Sequence, residues 1–414
     1  MIVRKGYKFR LKTNFESEQL LFQFSGCNRF VWNKALALQK GALDQEKKIL
    51  SYGHLASCLV QWKKDEETEF LKTAPSQSLQ QTLKNLDRAL KDAFDKNQPG
   101  KRFPVFKKKG LNDSYRYPQG FKLQGNRIFL PKIGWIGFYK SRDLEGTLKN
   151  ATVSRKGPHW FVSIQTEQEV TDPVRPVFDA IGIDMGVKRF VTLSNGEYTK
   201  PLNSFKKLQD KLARAQKILA RKVKFSNNWK KQKQVISKLH IKIANARNDF
   251  LQKVSTVMSK NHAMIVAEAL NIKNMSSSAK GTMENPGKNV KAKAGLNKRI
   301  LDQGWSAFLR MLEYKQAWSR GIFLQVDPKN TSRTCPECGH ISGDNRKTQA
   351  LFQCIECGYT ANADHVAAIN IRGRGINKYG GGAHRNSLLR DDISHLTTQE
   401  PLGTNDQVPI LEPV

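Results

Sequence analysis

The sequence predicts an α+β protein of more than one domain, on three observations. Blocks of strand-like alternation are followed by blocks of helical period and then by strands again. A chain of 414 residues with 39% hydrophobic content is long enough to bury two or three cores. Four of the six cysteines fall in two tight pairs, a grouping that suits a bound metal better than a disulfide framework.

The first block, 1–15, contains Gly6-Tyr-Lys-Phe-Arg-Leu-Lys, where apolar and basic residues alternate as on an edge or barrel strand with one solvated face. From 16 to 95 the period becomes helical. Phe30, Trp32, Ala35, Leu59, Trp62, Leu79, Leu83, Leu86, Leu90 and Phe94 take core-facing positions of several helices. Pro99-Gly100 breaks the helical pattern, and strand-like stretches follow at 126–130, 135–139, 147–154 and 160–165, separated by turn residues. Residues 1–15 and 96–179 are therefore expected to form a small antiparallel β-barrel, with 16–95 as a helical insertion.

At 180 the character changes. Ala180-Ile-Gly-Ile-Asp184 is a nearly continuous apolar run ending in a carboxylate, and Phe190-Val-Thr-Leu-Ser-Asn-Gly follows a glycine turn as a second, antiparallel strand. Long helices are expected over 205–260, with apolar positions at Leu208, Leu212, Ala215, Leu219, Val235, Leu239, Ile243, Ala246 and Phe250. Their other faces are basic, with Lys207, Lys211, Arg214 and Arg221 among the cations, and so one-sided a sign favours phosphate contact over a merely solvated face. A buried strand ends at Glu268. Residues 276–297, rich in Ser, Gly, Asn and Lys, read as a mobile loop, 301–318 as a helix, 321–327 as a strand, 363–371 as a helix and 375–414 as a largely disordered tail.

Charge limits the partners. The formal net charge is +34, from 70 Lys and Arg against 36 Asp and Glu, and an excess of this size calls for a polyanion. No apolar run approaches the roughly 18 residues of a membrane span, and Met1-Ile-Val-Arg-Lys lacks the apolar core of a secretory signal, so a cytoplasmic protein with no membrane partner is expected. Cys27 and Cys58 stand alone and read as buried thiols.

The remaining cysteines are Cys335-Pro-Glu-Cys338 and, after fifteen intervening residues, Cys354-Ile-Glu-Cys357. Each pair is followed by glycine, and four thiolates close a tetrahedral structural zinc site. The carboxylates Asp184, Glu268 and Asp364 each sit at the end of an apolar strand or the start of a helix. Alone, Asp184 in Asp-x-Gly also suits a phosphate-binding ATPase domain. Three buried carboxylates sharing one site would repel one another unless divalent metal neutralised them, which is the arrangement of a metal-dependent nuclease.

Together these residues resemble the TnpB family of transposon-encoded, RNA-guided nucleases, which are similar to miniature type V CRISPR effectors. The likeness covers about residues 1–372. It rests on Gly182-Ile-Asp-Met-Gly186, Glu268-Ala-Leu-Asn-Ile-Lys-Asn-Met275, Thr334-Cys-Pro-Glu-Cys-Gly339 and Ala363-Asp-His-Val-Ala-Ala-Ile-Asn370, with Leu130-Pro-Lys-Ile-Gly134 and Pro75-Ser-Gln-Ser-Leu-Gln-Gln81 in support. The chain departs from the family at Val366, where Asn is frequent, and at Ala269, where an acidic residue is common.

The resemblance implies a β-barrel wedge domain (1–15 and 96–179) with a helical recognition insert (16–95), joined to a RuvC nuclease of RNase H-like fold (180–332 and 361–374) that carries a zinc ribbon (333–360). It implies Asp184, Glu268 and Asp364 as catalytic residues holding two Mg²⁺, Cys335, Cys338, Cys354 and Cys357 as zinc ligands, a guide RNA from the element's own end, and double-stranded DNA as target. A monomer is expected. Ser76, Gln77, Gln80 and Gln81 are candidates for reading a short DNA motif, since Gln can contact adenine bidentately; an ordinary solvated helix face fits them equally. Arg102, Phe103, Lys107, Lys108 and Lys109 suit backbone contacts. Residues 276–297 would be a lid over the nuclease site. Two rivals use the same residues: a DNA transposase acting without RNA, and a nuclease-inactive RNA-guided repressor.

Overall fold

The computed structural model describes residues 2–111, 113–169 and 180–380, and the chain divides into two units, Met1–Asp172 with Leu212–Ile241 and Pro173–Lys211 with Lys242–Val414. The first unit begins with β1 (Ile2–Lys12), α1 (Phe15–Asp44), α2 (Tyr52–Trp62), a 3-10 turn (Glu66–Thr73) and α3 (Ser76–Phe94). Six strands follow: β2 (Ser114–Tyr117), β3 (Lys122–Gln124), β4 (Arg127–Leu130), β5 (Gly134–Phe138), β6 (Thr147–Lys156) and β7 (His159–Glu169). They form one antiparallel seven-stranded sheet with β1, in the order β2-β6-β7-β1-β5-β4-β3.

Period decides which faces meet. Along β1, Val3, Tyr7, Phe9 and Leu11 are buried while the basic residues between them face outward. Asn14 starts α1 by a reciprocal cap with Ser17, its side chain accepting from the Ser17 amide at 2.9 Å. Leu21, Phe24, Val31, Ala35 and Leu36 of that helix, Leu79, Leu83, Leu86 and Leu90 of α3, and Phe138, Trp160 and Val162 of the sheet share one core. Phe94, expected to face that core, is 56% exposed and touches Phe103 edge-on, because α3 ends there and the chain turns away.

The second unit contains β8 (Ala180–Met185), β9 (Val191–Leu193), β10 (Tyr198–Thr199), the start of α4 (Ser204–Ala220), the end of α5 (Asn227–Asn261), β11 (Met264–Glu268), α6 (Ile272–Met275), α7 (Val290–Gln303), α8 (Trp305–Trp318) and β12 (Ile322–Val326). A hairpin of β13 (Leu351–Gln353) and β14 (Thr360–Asn362) leads into α9 (Ala363–Gly380). The sheet order is β10-β9-β8-β11-β12; β8 is antiparallel to β9 and parallel to β11, which is parallel to β12.

The structure corrects four expectations. The 276–297 loop stops at Asn289, whose left-handed φ of 53° starts α7, and the helix expected over 301–318 is two helices broken at Gly304, φ 72°. Val235 and Ala246 of α5 are exposed rather than buried, although Ile243 between them is buried. Residues 375–380 continue α9 instead of starting a tail; the rest of that predicted tail, 381–414, and the end of the barrel segment, 170–179, lie outside the described residues. Among the described residues no helix is long and apolar enough to cross a membrane.

Helix α9 lies unusually close on the sheet, and two glycines explain it. A Cβ on Gly182 of β8 would collide with the Ala368 carbonyl and stand 2.6 Å from the Arg372 amide nitrogen, while a Cβ on Gly375 of α9 would enter the Val266 side chain of β11. Ser194, just after β9, ties β8 to α9: its hydroxyl accepts from the Gly182 amide at 3.1 Å and its carbonyl lies 3.2 Å from His365 Nε2. Gly375→Ala is expected to force helix and sheet apart at a cost of about 1–3 kcal/mol, read as a lower melting temperature in thermal unfolding; an unchanged transition would refute the close-packing account.

Candidate active site and metal centre

The parallel register of β8 and β11 pairs Ala267 with Ile183, so one residue further along Asp184 and Glu268 end adjacent strands side by side. Asp364 opens α9, where the Asn362 side chain caps the helix by accepting from the Asp364 amide at 3.1 Å and the His365 amide at 3.4 Å. The close seat of α9 on β8 brings this first turn to the same sheet edge.

Electrostatics show that the three carboxylates sense one another. Burial first, then the charges of Glu268 and Asp364, push Asp184 from 3.8 up to about 7, against a smaller opposing pull from Arg346 and the Met185 amide. Burial also raises Glu268, which is 8% exposed, while the Thr331 hydroxyl, Arg374 and Arg346 hold it back. Thr331 donates to Glu268 Oε1 at 2.6 Å, and Asn370 of α9 donates to the Thr331 and Thr334 carbonyls, each at 2.8 Å. Arg346 lies 3.9 Å from Asp364 Oδ1. A cluster of acids that raises its own proton affinity suits a divalent cation, and the oxygen-only donor set is one that Mg²⁺ accepts. The three acids do not bring one oxygen each within 4.8 Å of one another, as the four cysteine sulfurs described next do.

Sequence reasoning missed Thr331 and Arg346. No spacing rule links Thr331 to a glutamate 63 residues earlier, and Asp344-Asn-Arg-Lys347 between the cysteine pairs reads as a solvated charge run.

Cys335, Cys338, Cys354 and Cys357 place their sulfurs within 4.8 Å of one another, the only such metal-competent group among the described residues. Cys335 Sγ stands 3.6 Å from Cys357 Sγ and Cys338 Sγ 3.5 Å from Cys354 Sγ. Disulfide sulfurs would be about 2.05 Å apart. A zinc tetrahedron with Zn–S near 2.3 Å has edges of about 3.8 Å, so the sulfurs fit the ion. The two pairs repeat one backbone pattern: Gly339 and Gly358, at φ 75° and 76°, donate to the Cys335 and Cys354 carbonyls at 3.0 and 3.1 Å. Phe352, Ala363 and Val366 close a small core around Cys335 and Cys354, which accounts for an apolar residue at position 366.

The candidate nucleic-acid contacts are spread over both units. Ser76 and Gln80 are exposed on α3, and Gln77 is half-buried there. Gln81 donates to Asn85 at 2.9 Å and lines a groove of about 510 Å³ with Lys84, Arg88, Lys91 and Arg116 but also Asp87 and Asp92. Arg102, Lys108 and Lys109 are exposed, but Phe103 packs against the core and Lys107 sits over the Trp32 ring at 4.0 Å, so these two are engaged within the protein. In the extended stretch between α3 and β2, Asn33 holds the Lys107 backbone through both its amide and carbonyl, at 2.8 and 3.0 Å. Lys207, Lys211, Arg214 and Arg221 are all exposed on and just after α4.

Two expectations follow from the site. Cys338→Ser should lose its zinc in elemental analysis and melt at lower temperature while Cys58→Ser keeps its zinc; retained zinc in Cys338→Ser would contradict the four-thiolate site. A carboxylate raised from 3.8 to about 7 keeps its proton in the folded chain after the unfolded chain has lost it, so folded stability falls as pH rises across that window. In magnesium-free buffer the melting temperature should therefore drop between about pH 4 and about pH 7, and Asp184→Asn should flatten the drop. Parallel curves for both proteins would show that Asp184 is not under this strain.

Comparison with known proteins places the chain. Residues 163–279 match the OrfB_IS605 profile, described as "Probable transposase", residues 305–371 match "Cas12f1-like, TNB domain", and residues 1–48 match a "Helix-turn-helix domain". The chain is 52% identical over 373 residues, 90% of this chain and 92% of the other, to "Putative RNA-guided DNA endonuclease InsQ" of Escherichia coli (strain K12). It is 32% identical over 379 residues, 90% of each chain, to a "Putative RNA-guided DNA endonuclease" of Streptomyces pristinaespiralis. Among solved structures, the "mini-RNA-guided endonuclease CRISPR-Cas_phi3" overlays with a TM-score of 0.45 at 12% identity, covering 90% of this chain and 92% of that one. The identity to InsQ, sustained along nearly the whole of both chains, makes this protein a member of the TnpB, or OrfB_IS605, family.

Proposed function

We propose that this protein cuts double-stranded DNA by metal-dependent phosphodiester hydrolysis at a site chosen by a guide RNA, with Asp184, Glu268 and Asp364 as the metal-holding residues. The observation that carries this is their convergence: two carboxylates end adjacent parallel strands and the third opens the helix packed on those strands. An RNase H-like, RuvC-type nuclease is supported by the strand order β10-β9-β8-β11-β12, three antiparallel strands followed by two parallel ones. The seven-stranded sheet with α1, α2 and α3 is then the wedge and recognition part, and the cysteine hairpin the zinc ribbon.

Magnesium bound by the three carboxylates would lower the pKa of an attacking water and stabilise the leaving 3′ oxygen. The chain's own residues prepare the place. Thr331 fixes one oxygen of Glu268, leaving the other free, and Asn370 fixes Thr331, so α9 positions two of the three acids at once. Arg346 offsets part of the acidic charge from the ribbon side and can meet a phosphate entering beside Asp364. Guide pairing supplies the sequence recognition, and the exposed cations of α4 and of the stretch between α3 and β2 hold backbones.

Incubated with its guide RNA, Mg²⁺ and matched plasmid, the wild type should cut, Asp184→Ala should bind without cutting, and Thr331→Val should cut roughly 10- to 100-fold more slowly. Retained cutting by Asp184→Ala would overturn the site assignment. Cutting that survives ribonuclease treatment would favour a transposase acting without RNA.

A further inference from the structure

The turn between α4 and α5 carries side chains that neither the core nor the carboxylate site uses. Val223 is 79% exposed and Phe225 66% exposed, at the tip of an otherwise charged helical hairpin. Phe225 also has φ 70°, a left-handed angle that a bulky side chain adopts only at a cost and that glycine or asparagine takes readily. Asn227 and Asn228 follow two and three positions later, so an easier residue type is close by in the chain, yet the aromatic ring occupies the strained position.

The ring also has a partner. It rests against Trp229 with centroids 5.5 Å apart and planes at 58°, and Ser226 caps α5 by accepting from the Trp229 amide at 3.1 Å, which fixes that partner. Cations flank both rings, with Lys224 Nζ 5.3 Å from the Phe225 centroid and Lys233 Nζ 5.0 Å from that of Trp229. Between Asp210 and Asp249 the chain holds no acidic residue at all.

A protein-binding apolar patch is depleted of lysine at its centre, and a surface that only tracks phosphates has no need of exposed aromatic rings. Exposed, mutually packed rings set among cations in a segment free of acids are what an unpaired or duplex-end nucleotide requires: a flat apolar face for the base and positive charge for the phosphates beside it. We infer that the α4–α5 tip is a stacking platform for a nucleobase, with Phe225 taking the base and Lys222, Lys224 and Lys230 meeting the adjoining phosphates. This rests on the reading of the protein as one that holds nucleic acid, and the platform reads no sequence, since every base has a stacking face.

Full-length wild type, Phe225→Ala, Phe225→Leu, Phe225→Gly and Phe225→Trp proteins would be titrated, by fluorescence anisotropy over a range of salt, with the RNA that copurifies with the wild type and separately with labelled oligo(dT). Phe225→Ala and Phe225→Leu should lose about 10-fold in affinity for at least one probe, with no change in the salt slope, and Phe225→Trp should restore it. Phe225→Gly should bind as weakly but melt no lower than wild type, because glycine relieves the left-handed angle; a merely structural ring would not separate those two readouts. Loss confined to RNA assigns the platform to a guide base, and loss confined to oligo(dT) to a DNA base. If Phe225→Ala and Phe225→Leu bind both probes as tightly as wild type, the platform is wrong while the guided-nuclease reading stands. If the wild type binds neither probe, that reading fails and the platform with it.

Discussion

Three carboxylates held at one sheet edge repel one another, and the second unit is arranged to hold them together despite that. Two come from neighbouring parallel strands, so their separation is set by the hydrogen-bonded register rather than by flexible side chains. The third comes from α9, whose first turn reaches the edge only because the helix can lie nearly against the backbone of β8. Burial and mutual repulsion raise the proton affinity of Asp184, a repulsion that the proposed cation would relieve.

That arrangement makes the glycines and the small polar groups of the motifs as necessary as the acids. Gly182 and Gly375 remove the two Cβ atoms that would keep α9 off the sheet, one on each partner. Asn370, a single turn and a half along the helix from Asp364, reaches the loop that carries Thr331 and so sets the orientation of Glu268. The four-cysteine hairpin is tied into the same network: its small core includes Ala363 and Val366 of α9, and its Arg346 faces Asp364. Loss of a metal held by the four cysteines would therefore loosen both the start of α9 and the guanidinium that balances the acids.

Much of this was legible in the chain because the relevant signals are local. Asp184 and Glu268 end short apolar runs, and an apolar run that stops at a carboxylate marks a strand leaving the core. The cysteine pairs announce themselves by spacing, and β1, β6 and β7 by alternation. What stayed hidden depends on contacts between distant segments. Thr331 and Arg346 have ordinary local surroundings and acquire a role only when the ribbon folds beside α9. Phe94 and Val235 fit the helical period but fall where a helix ends or runs out into solvent, and periodicity cannot say where packing partners stop. The Ser- and Gly-rich stretch after Met275 looks like one loop because its composition masks the start of α7, which begins at a left-handed asparagine with no side-chain cap.

The account turns on the carboxylates acting as one cation site, and calorimetric titration of Mn²⁺ into the zinc-loaded protein measures that without requiring guide or target. Wild type should bind Mn²⁺, and Asp184→Asn, with the same fold by circular dichroism and the same zinc content, should lose most of that binding. Equal Mn²⁺ binding by the two proteins would mean that the acids at this sheet edge do not share a metal, and the nuclease chemistry assigned to them would have to be placed elsewhere.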